Sequence, residues 1–465
     1  MCGFLVLHLI KSSNTETRHH TFTLGRHCIA SANIRRIRAA AMAAHVDADM
    51  MTAQPAAGER LVIVGTYSED LGFVQGKGKG LYAFRLTGQG TFAAATFLNQ
   101  PLLGTDVVGA NPTYLCKSAT RDDVVYVVDE SALARGGRVR AVKVDTKACT
   151  AEPLGQSLAT GDSSPCHLVA TPEHVYVANY CGGTEGAGSC ACLDIGADGV
   201  LGSWKTTGAL DATLAQDLHV SDASALRRLS ALEKFAVPRD GGANLERQEK
   251  AHAHMVLLST DGTLLVPDLG SDVVWRLRAP DLTPMAVCCK CEPGDGPRHV
   301  AWHPSLDVLY VLTELSCRLL AFRVDRSTGQ PLDETKAPFA SSRTLPRECY
   351  PPSGTNAPPT RPQSSCAALV VHPSGRFAYA SNRAVGVDGL VSIISLGADG
   401  APFTSTHMST GGRTPRDIAL AGPELLLVAN QDTNSILSFA IDAATGALAK
   451  RHQVSCPTPV CMLAL

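Results

Sequence analysis

Arg298, His299 and Glu314 flank two neighbouring apolar runs in the stretch Gly294–Asp325, GDGPRHVAWHPSLDVLYVLTELSCRLLAFRVD. A cation, an imidazole and a carboxylate gathered at one point can bind an anion or move a proton. The pattern of the stretch brings them together. HVAWHP alternates apolar and polar residues, and LDVLYVLT is rich enough in Val, Leu and Tyr for a strand buried on both faces. Pro304-Ser305 supplies the turn. The two strands are then antiparallel neighbours, and the start of the first lies beside the end of the second.

The same placement collects polar residues elsewhere. Strand beginnings supply Asn111, His167, His252, His254, Arg298, His299 and Arg416, and strand ends supply Glu130, Asn179, Asp268, Glu314, Asn382, Arg383, Asn430 and Gln431. Arg298, Arg383 and Arg416 can converge on an anionic, oxygen-rich ligand, because the planar guanidinium makes paired bonds to carboxylate or phosphate. His252 or His254 can serve as a base near neutral pH. Glu314 beside Arg298 can orient that histidine or share its proton. Taken singly, each residue has an ordinary structural use, since Asn and Asp at strand ends commonly cap turns. No nucleophile elbow, P-loop or dinucleotide fingerprint occurs in a fitting context. This favours attack by water, or proton transfer, without a cofactor. CCKC (Cys288–Cys291) and the Cys190/Cys192 pair lack a second pair at zinc-site spacing, so no metal is expected.

The elements that position these residues repeat every 40–50 residues or so, the period of a propeller blade. From about Glu59 onward, units of three clear strands and a weaker fourth recur, among them NPTYLCKSATRDDVVYVVDE, SPCHLVATPEHVYVANY and RTPRDIALAGPELLLVANQD. The last segment, TPVCMLAL (Thr458–Leu465), matches only a first strand, and the first unit begins on a second strand. A terminal strand that supplies the missing partner closes the ring and removes an exposed edge. The expected fold is all-β: a seven-bladed propeller of four-stranded antiparallel blades over residues 59–465, closed by the C-terminal strand. Two insertions interrupt it. Residues 206–250 include an amphipathic, helix-like piece, ALRRLSALEKF, and Lys336–Gln363 reads as an irregular loop. Both join a fourth strand to the next first strand, so they belong on the rim that carries the polar set.

The chain has 465 residues and a net charge of -2, which argues against nucleic acid or an anionic membrane as partner. No run approaches the roughly 18 apolar residues of a membrane span. The scattered cysteines and the lack of a secretory signal fit reduced thiols and a cytoplasmic location. Residues 1–51 are basic and poor in acids, with Glu16 the one acid before Asp47. They read equally as an organellar transit peptide, which would imply import, or as a start assigned too early, with Met42, Met50 or Met51 the true one. On either reading they lie outside the fold.

In order, RQ…AHAHM (Arg247-Gln248, Ala251–Met255), VPDLGSD (Val266–Asp272), GPRHVAWHP (Gly296–Pro304), TEL (Thr313–Leu315), SNR (Ser381–Arg383), TPRD (Thr414–Asp417) and VANQD (Val428–Asp432) resemble the seven-bladed propeller lactonase family. That family includes bacterial-type 6-phosphogluconolactonases and fungal carboxy-muconate cyclases. The resemblance implies an active-site set of His252 or His254, Arg298, Glu314 and Arg383, with Thr313 in place of the usual Asn before the Glu. His167, Asp268, His299, Asn382, Arg416, Asn430 and Gln431 are expected to contact substrate. The implied function is hydrolysis of an anionic sugar lactone, 6-phospho-D-glucono-1,5-lactone, in the pentose phosphate pathway. A carboxy-cis,cis-muconate cycloisomerase is the close alternative. A non-catalytic propeller docking a protein is the alternative of another class. An aromatic content of 5% argues against the last, because docking faces favour aromatic anchors.

Overall fold

The computed structural model describes residues 58–94, 100–131, 135–181, 188–206, 243–350 and 364–465. Seven antiparallel sheets follow one another along the chain. Blade 1 holds Arg60–Thr66, Gly80–Leu86 and Phe92–Ala94, and its innermost strand is the C-terminal Pro459–Ala464. That strand pairs antiparallel with Arg60–Thr66, so the expected closure is present. Blades 2 to 7 begin at Leu115–Lys117, Ser163–Ala170, Leu257–Leu258, Pro297–Trp302, Ser364–Val371 and Pro415–Leu420. Each continues outward through three more strands.

Burial follows strand position. The second strands Val124–Asp129, Leu264–Asp268, Val308–Thr313 and Leu425–Asn430 are buried at every residue. The fourth strands Pro402–Ser409 and Leu448–Ser455 are largely open to solvent. This is why the inner strands read as continuous Val/Leu runs and the outer ones are hard to see in sequence. Apolar side chains pack between neighbouring blades at every junction, including blade 7 against blade 1, where Leu425 and Leu427 meet Val62, Val64 and Met462. Buried tyrosines of second strands donate across these junctions. Tyr126 reaches the Gly199 carbonyl (3.1 Å), Tyr310 that of Gly400 (2.7 Å) and Tyr379 that of Gly446 (2.9 Å). Each thus buries its ring without orphaning its hydroxyl.

One expectation needs correction. Lys336–Gln363 is not irregular throughout: Ala340–Arg343 is the fourth strand of blade 5, paired with Arg318–Ala321. Its short ASSR sequence lies at the outer edge, where burial does not enforce an apolar alternation. Residues 1–51 and the helix-like ALRRLSALEKF piece fall outside the described residues.

Candidate active site

The site is built from two repeated local devices. The first ends each second strand. A polar, buried residue at or near the end of that strand makes local bonds that tie down the surrounding chain. Thr66 Oγ1 donates to the Gly80 carbonyl (2.7 Å), and Asp129 accepts from Ser131 Oγ (2.7 Å). Asn179 Nδ2 donates to Ser189 Oγ (3.1 Å) and Asn382 Nδ2 to Ser392 Oγ (2.8 Å). Asp268 accepts from the His252 and Gly270 amides (2.7 and 3.0 Å), from Trp275 Nε1 (3.1 Å) and from Ser271. Asn430 instead ties the link between blades 6 and 7, with Nδ2 donating to the Thr410 carbonyl (3.2 Å). The next residue in sequence is then free to reach other blades, as Tyr67, Glu130, Tyr180, Glu314 and Arg383 do.

The second device starts four of the first strands. In blade 5, Pro297 pairs with Thr313 and His299 with Leu312, so Arg298 is an extra residue with no partner of its own. The same bulge singles out Cys166, Arg416 and Val460, each following a proline. The residue before that proline has a left-handed backbone in all four: Ser164, Gly296, Thr414 and Thr458, with φ of 53°, 64°, 54° and 43°. A bulge re-aims its extra side chain, and here it turns Arg298 toward Glu314.

Glu314 is the hub. Its Oε2 lies 2.9 Å from Arg298 Nε and 3.2 Å from Arg383 Nη2, and its Oε1 accepts from Arg247 Nη2 at 2.7 Å. Burial alone would push its carboxyl up, but the guanidinium groups of Arg383, Arg247 and Arg298 outweigh it and hold Glu314 ionised, well below the usual carboxylate range. Burial, with repulsion from Arg383 and Arg416, lowers Arg298 to about 10, still charged at neutral pH. Arg298 Nη1 also donates to the Ala367 carbonyl and stands 3.0 Å from His299 Nε2. Although Arg298 Nε is close to Oε2, its N–H is not directed at that oxygen. Arg298 Nε and Arg383 Nε are both buried donors without a hydrogen-bond acceptor among the described residues.

The other expected residues divide. The His254 ring lies 5.8 Å from the His299 ring, which is 6.1 Å from that of His167. All three sit in the buried interior beside Arg298. Desolvation, then the Arg298 charge, keeps them neutral: His167 falls to about 3, and His254 and His299 lie well below the ordinary value. His254 Nδ1 faces Cys166 Sγ at 3.8 Å. His252 is engaged elsewhere, stacked on Tyr180 at 4.3 Å, with Nδ1 3.0 Å from the Tyr180 carbonyl and Nε2 3.2 Å from Glu249. Both histidines precede the strand Leu257–Leu258 and do not share one regular strand face. Arg416 donates to the Tyr67 hydroxyl (2.8 Å), which donates to Glu130 (2.9 Å). Gln431 Nε2 donates to Asp432, while its buried Oε1 has no partner among the described residues. The side-chain groups of Asp268 and Asn382 are taken up by the corner bonds described above, and Asn382 also accepts from Thr344 (2.7 Å).

Three residues of the cluster are absent from the expected set. Tyr67 and Tyr180 occupy the register position of Glu314 and Arg383 in their own blades, a signal available from aligning the repeats. Arg247 comes from the end of an insertion, and no blade register locates it. Among the described residues, no group of three His, Cys, Asp or Glu is placed to hold a metal ion.

Comparison with known proteins agrees with this architecture. The family described as Lactonase, 7-bladed beta-propeller, matches residues 61–464. The chain is a propeller lactone hydrolase. It belongs to the seven-bladed β-propeller lactonase family. The 6-phosphogluconolactonase of Bacillus subtilis is 27% identical over 405 residues, covering 86% of this chain and 96% of that protein. The 6-phosphogluconolactonase of Formosa agariphila is 25% identical over 355 residues, covering 74% and 85%. The solved structure of a periplasmic gluconolactonase from Pseudomonas aeruginosa superposes with a TM-score of 0.66 at 23% identity, over 88% of this chain and 99% of that one, which shows the shared fold.

Proposed function

We propose that this enzyme hydrolyses 6-phospho-D-glucono-1,5-lactone to 6-phospho-D-gluconate, a step of the pentose phosphate pathway. The observation that carries this reading is the pair of buried, acceptor-less N–H groups on Arg298 and Arg383 beside an ionised Glu314. Buried donors of this kind suit an oxygen that gains charge during reaction. In this reading, water attacks the lactone carbonyl carbon and His254 takes its proton. The carbonyl oxygen becomes an oxyanion held by the two guanidinium groups. Collapse of the tetrahedral intermediate breaks the bond to the ring oxygen, which leaves as the hydroxyl after receiving that proton back from His254. Glu314 fixes the guanidinium groups and keeps their planes in place.

Charge supports a phosphorylated substrate. Arg247, Arg298, Arg383 and Arg416 face the carboxylates Glu314 and Glu130, leaving two positive charges to meet a phosphate monoester. The names of the Bacillus subtilis and Formosa agariphila relatives point the same way. The test is proton release from 6-phosphogluconolactone, unphosphorylated glucono-1,5-lactone and a carboxymuconolactone side by side, corrected for spontaneous hydrolysis. The highest kcat/KM is expected for the phosphorylated lactone. A preference for the carboxymuconolactone would assign the chain to the cyclase branch instead.

A further inference from the structure

The ring of residues next in sequence to Thr66, Asp129, Asn179, Asp268, Thr313, Asn382 and Asn430 has one apolar member. Tyr67, Glu130, Tyr180, Glu314, Arg383 and Gln431 are polar, but blade 4 contributes Leu269. The insertion before blade 4 compensates. Gln248, fully buried, donates to the Leu269 carbonyl (2.9 Å) and accepts from the Asn244 amide (3.0 Å), so the turn 244–248 is pinned over blade 4. Its neighbour Arg247 then spans the gap from blade 3 to blade 5, with Nη2 3.1 Å from the Tyr180 hydroxyl and 2.7 Å from Glu314 Oε1.

Depth separates this arginine from the others on Glu314. The Arg298 side chain is 4% exposed and that of Arg383 16%, whereas Arg247 is 40% exposed. Arg247 is thus the outermost guanidinium of the cluster. Only its Nη2 is used by the protein among the described residues, so Nε and Nη1 remain for a ligand. A lactone with its carbonyl at Arg298 and Arg383 extends its far end outward. In the phosphorylated substrate that end carries the phosphate.

We propose that Arg247 is the specificity-determining residue that recognises the substrate phosphate, while Arg298 and Arg383 serve the carbonyl. This rests on the hydrolase reading above. Arg247 makes the same contact in ground and transition states, so its loss acts on KM more than on kcat.

The test compares kcat and KM for 6-phosphogluconolactone and unphosphorylated glucono-1,5-lactone in the full-length wild type, Arg247→Met and Arg247→Lys. Arg247→Met is expected to lower kcat/KM for the phosphorylated lactone about 10–100-fold, the range of a charge-assisted hydrogen bond. The fall should lie mainly in KM and clearly exceed the loss in kcat/KM for the unphosphorylated lactone, which feels only the weakened hold on Glu314. Arg247→Lys keeps the charge and should retain part of the preference. Equal losses on both substrates, in either variant, would show that Arg247 only braces Glu314, and would overturn this inference while leaving the hydrolase reading intact. A wild type that does not prefer the phosphorylated lactone would overturn the hydrolase reading, and the phosphate role with it.

Discussion

Arg298 Nε stands 2.9 Å from Glu314 Oε2 because Arg298 is the one extra residue in its strand. Without the bulge between Pro297 and His299, the side chain at 298 would follow the regular two-residue alternation, set by the pairing with Thr313. Glu314 is fixed from the same place, since its amide donates to the Gly296 carbonyl at 2.7 Å. One corner, Gly296-Pro297-Arg298, therefore positions both charges.

That corner depends on Gly296. Its φ is +64°, and a Cβ there would lie 2.7 Å from Leu315 Cγ. Gly296→Ala should cost about 1–2 kcal/mol from the left-handed backbone alone, with the clash adding to it. Urea denaturation of the two proteins measures this. Turnover should fall as well, because the Glu314 amide hangs from the same carbonyl.

Much of this was legible in the sequence, for identifiable reasons. Second strands buried on both faces leave a strong Val/Leu signal, and antiparallel pairing forces Arg298 and Glu314 to one end of a hairpin. The closing strand was visible because a chain with an unpaired first unit needs a partner. The strand Ala340–Arg343 was not, since an outer strand has no burial to shape its residues. Asn382 and Asp268 are indistinguishable by type from ligand-binding residues. Only the register shows that the polar residue near the end of each second strand is used locally, while the following position is the one that can reach across the ring. A bulge adds one residue without altering composition. Its trace was the proline before Cys166, Arg298, Arg416 and Val460.

The two histidines should behave differently. His254 lies beside Arg298 and His299, while His252 is held against Tyr180 and Glu249. His254→Asn should lower kcat by about 10²–10⁴-fold, the usual contribution of a general base. His252→Asn should leave kcat within about tenfold of the wild type and act mainly on KM. Steady-state kinetics on both folded variants decide the order. Equal losses in kcat would refute the assignment of His254 as the base.

Asp417 should make stability depend on pH. Its buried carboxyl is pushed up to about 7, chiefly by burial, against an unfolded value near 3.9. Tyr114, Cys461 and Arg298 face it, and its Oδ2 accepts the Met462 amide of the closing strand at 2.8 Å. A folded pKa above the unfolded one gives stability that is full below pH 4 and lost as pH rises through 7. Asp417→Asn keeps a carbonyl for Met462 and removes the ionisation. Its stability relative to wild type should therefore rise between pH 4 and pH 8, by up to about 4 kcal/mol. Denaturation curves at the two pH values test this, and a constant difference would mean that Asp417 ionises normally.

The central claim is that a paired guanidinium at Arg298 stabilises the oxyanion of a lactone being hydrolysed. Arg298→Lys keeps the charge but cannot serve Glu314, the Ala367 carbonyl and an oxyanion together from one fork. The most direct measurement is the turnover number for proton release from 6-phosphogluconolactone, corrected for spontaneous hydrolysis, in wild type and in Arg298→Lys of matched circular dichroism. The expected result is catalysis by the wild type and a loss of at least about 2 kcal/mol, some 30-fold, in the variant. Equal turnover in the two proteins would contradict it.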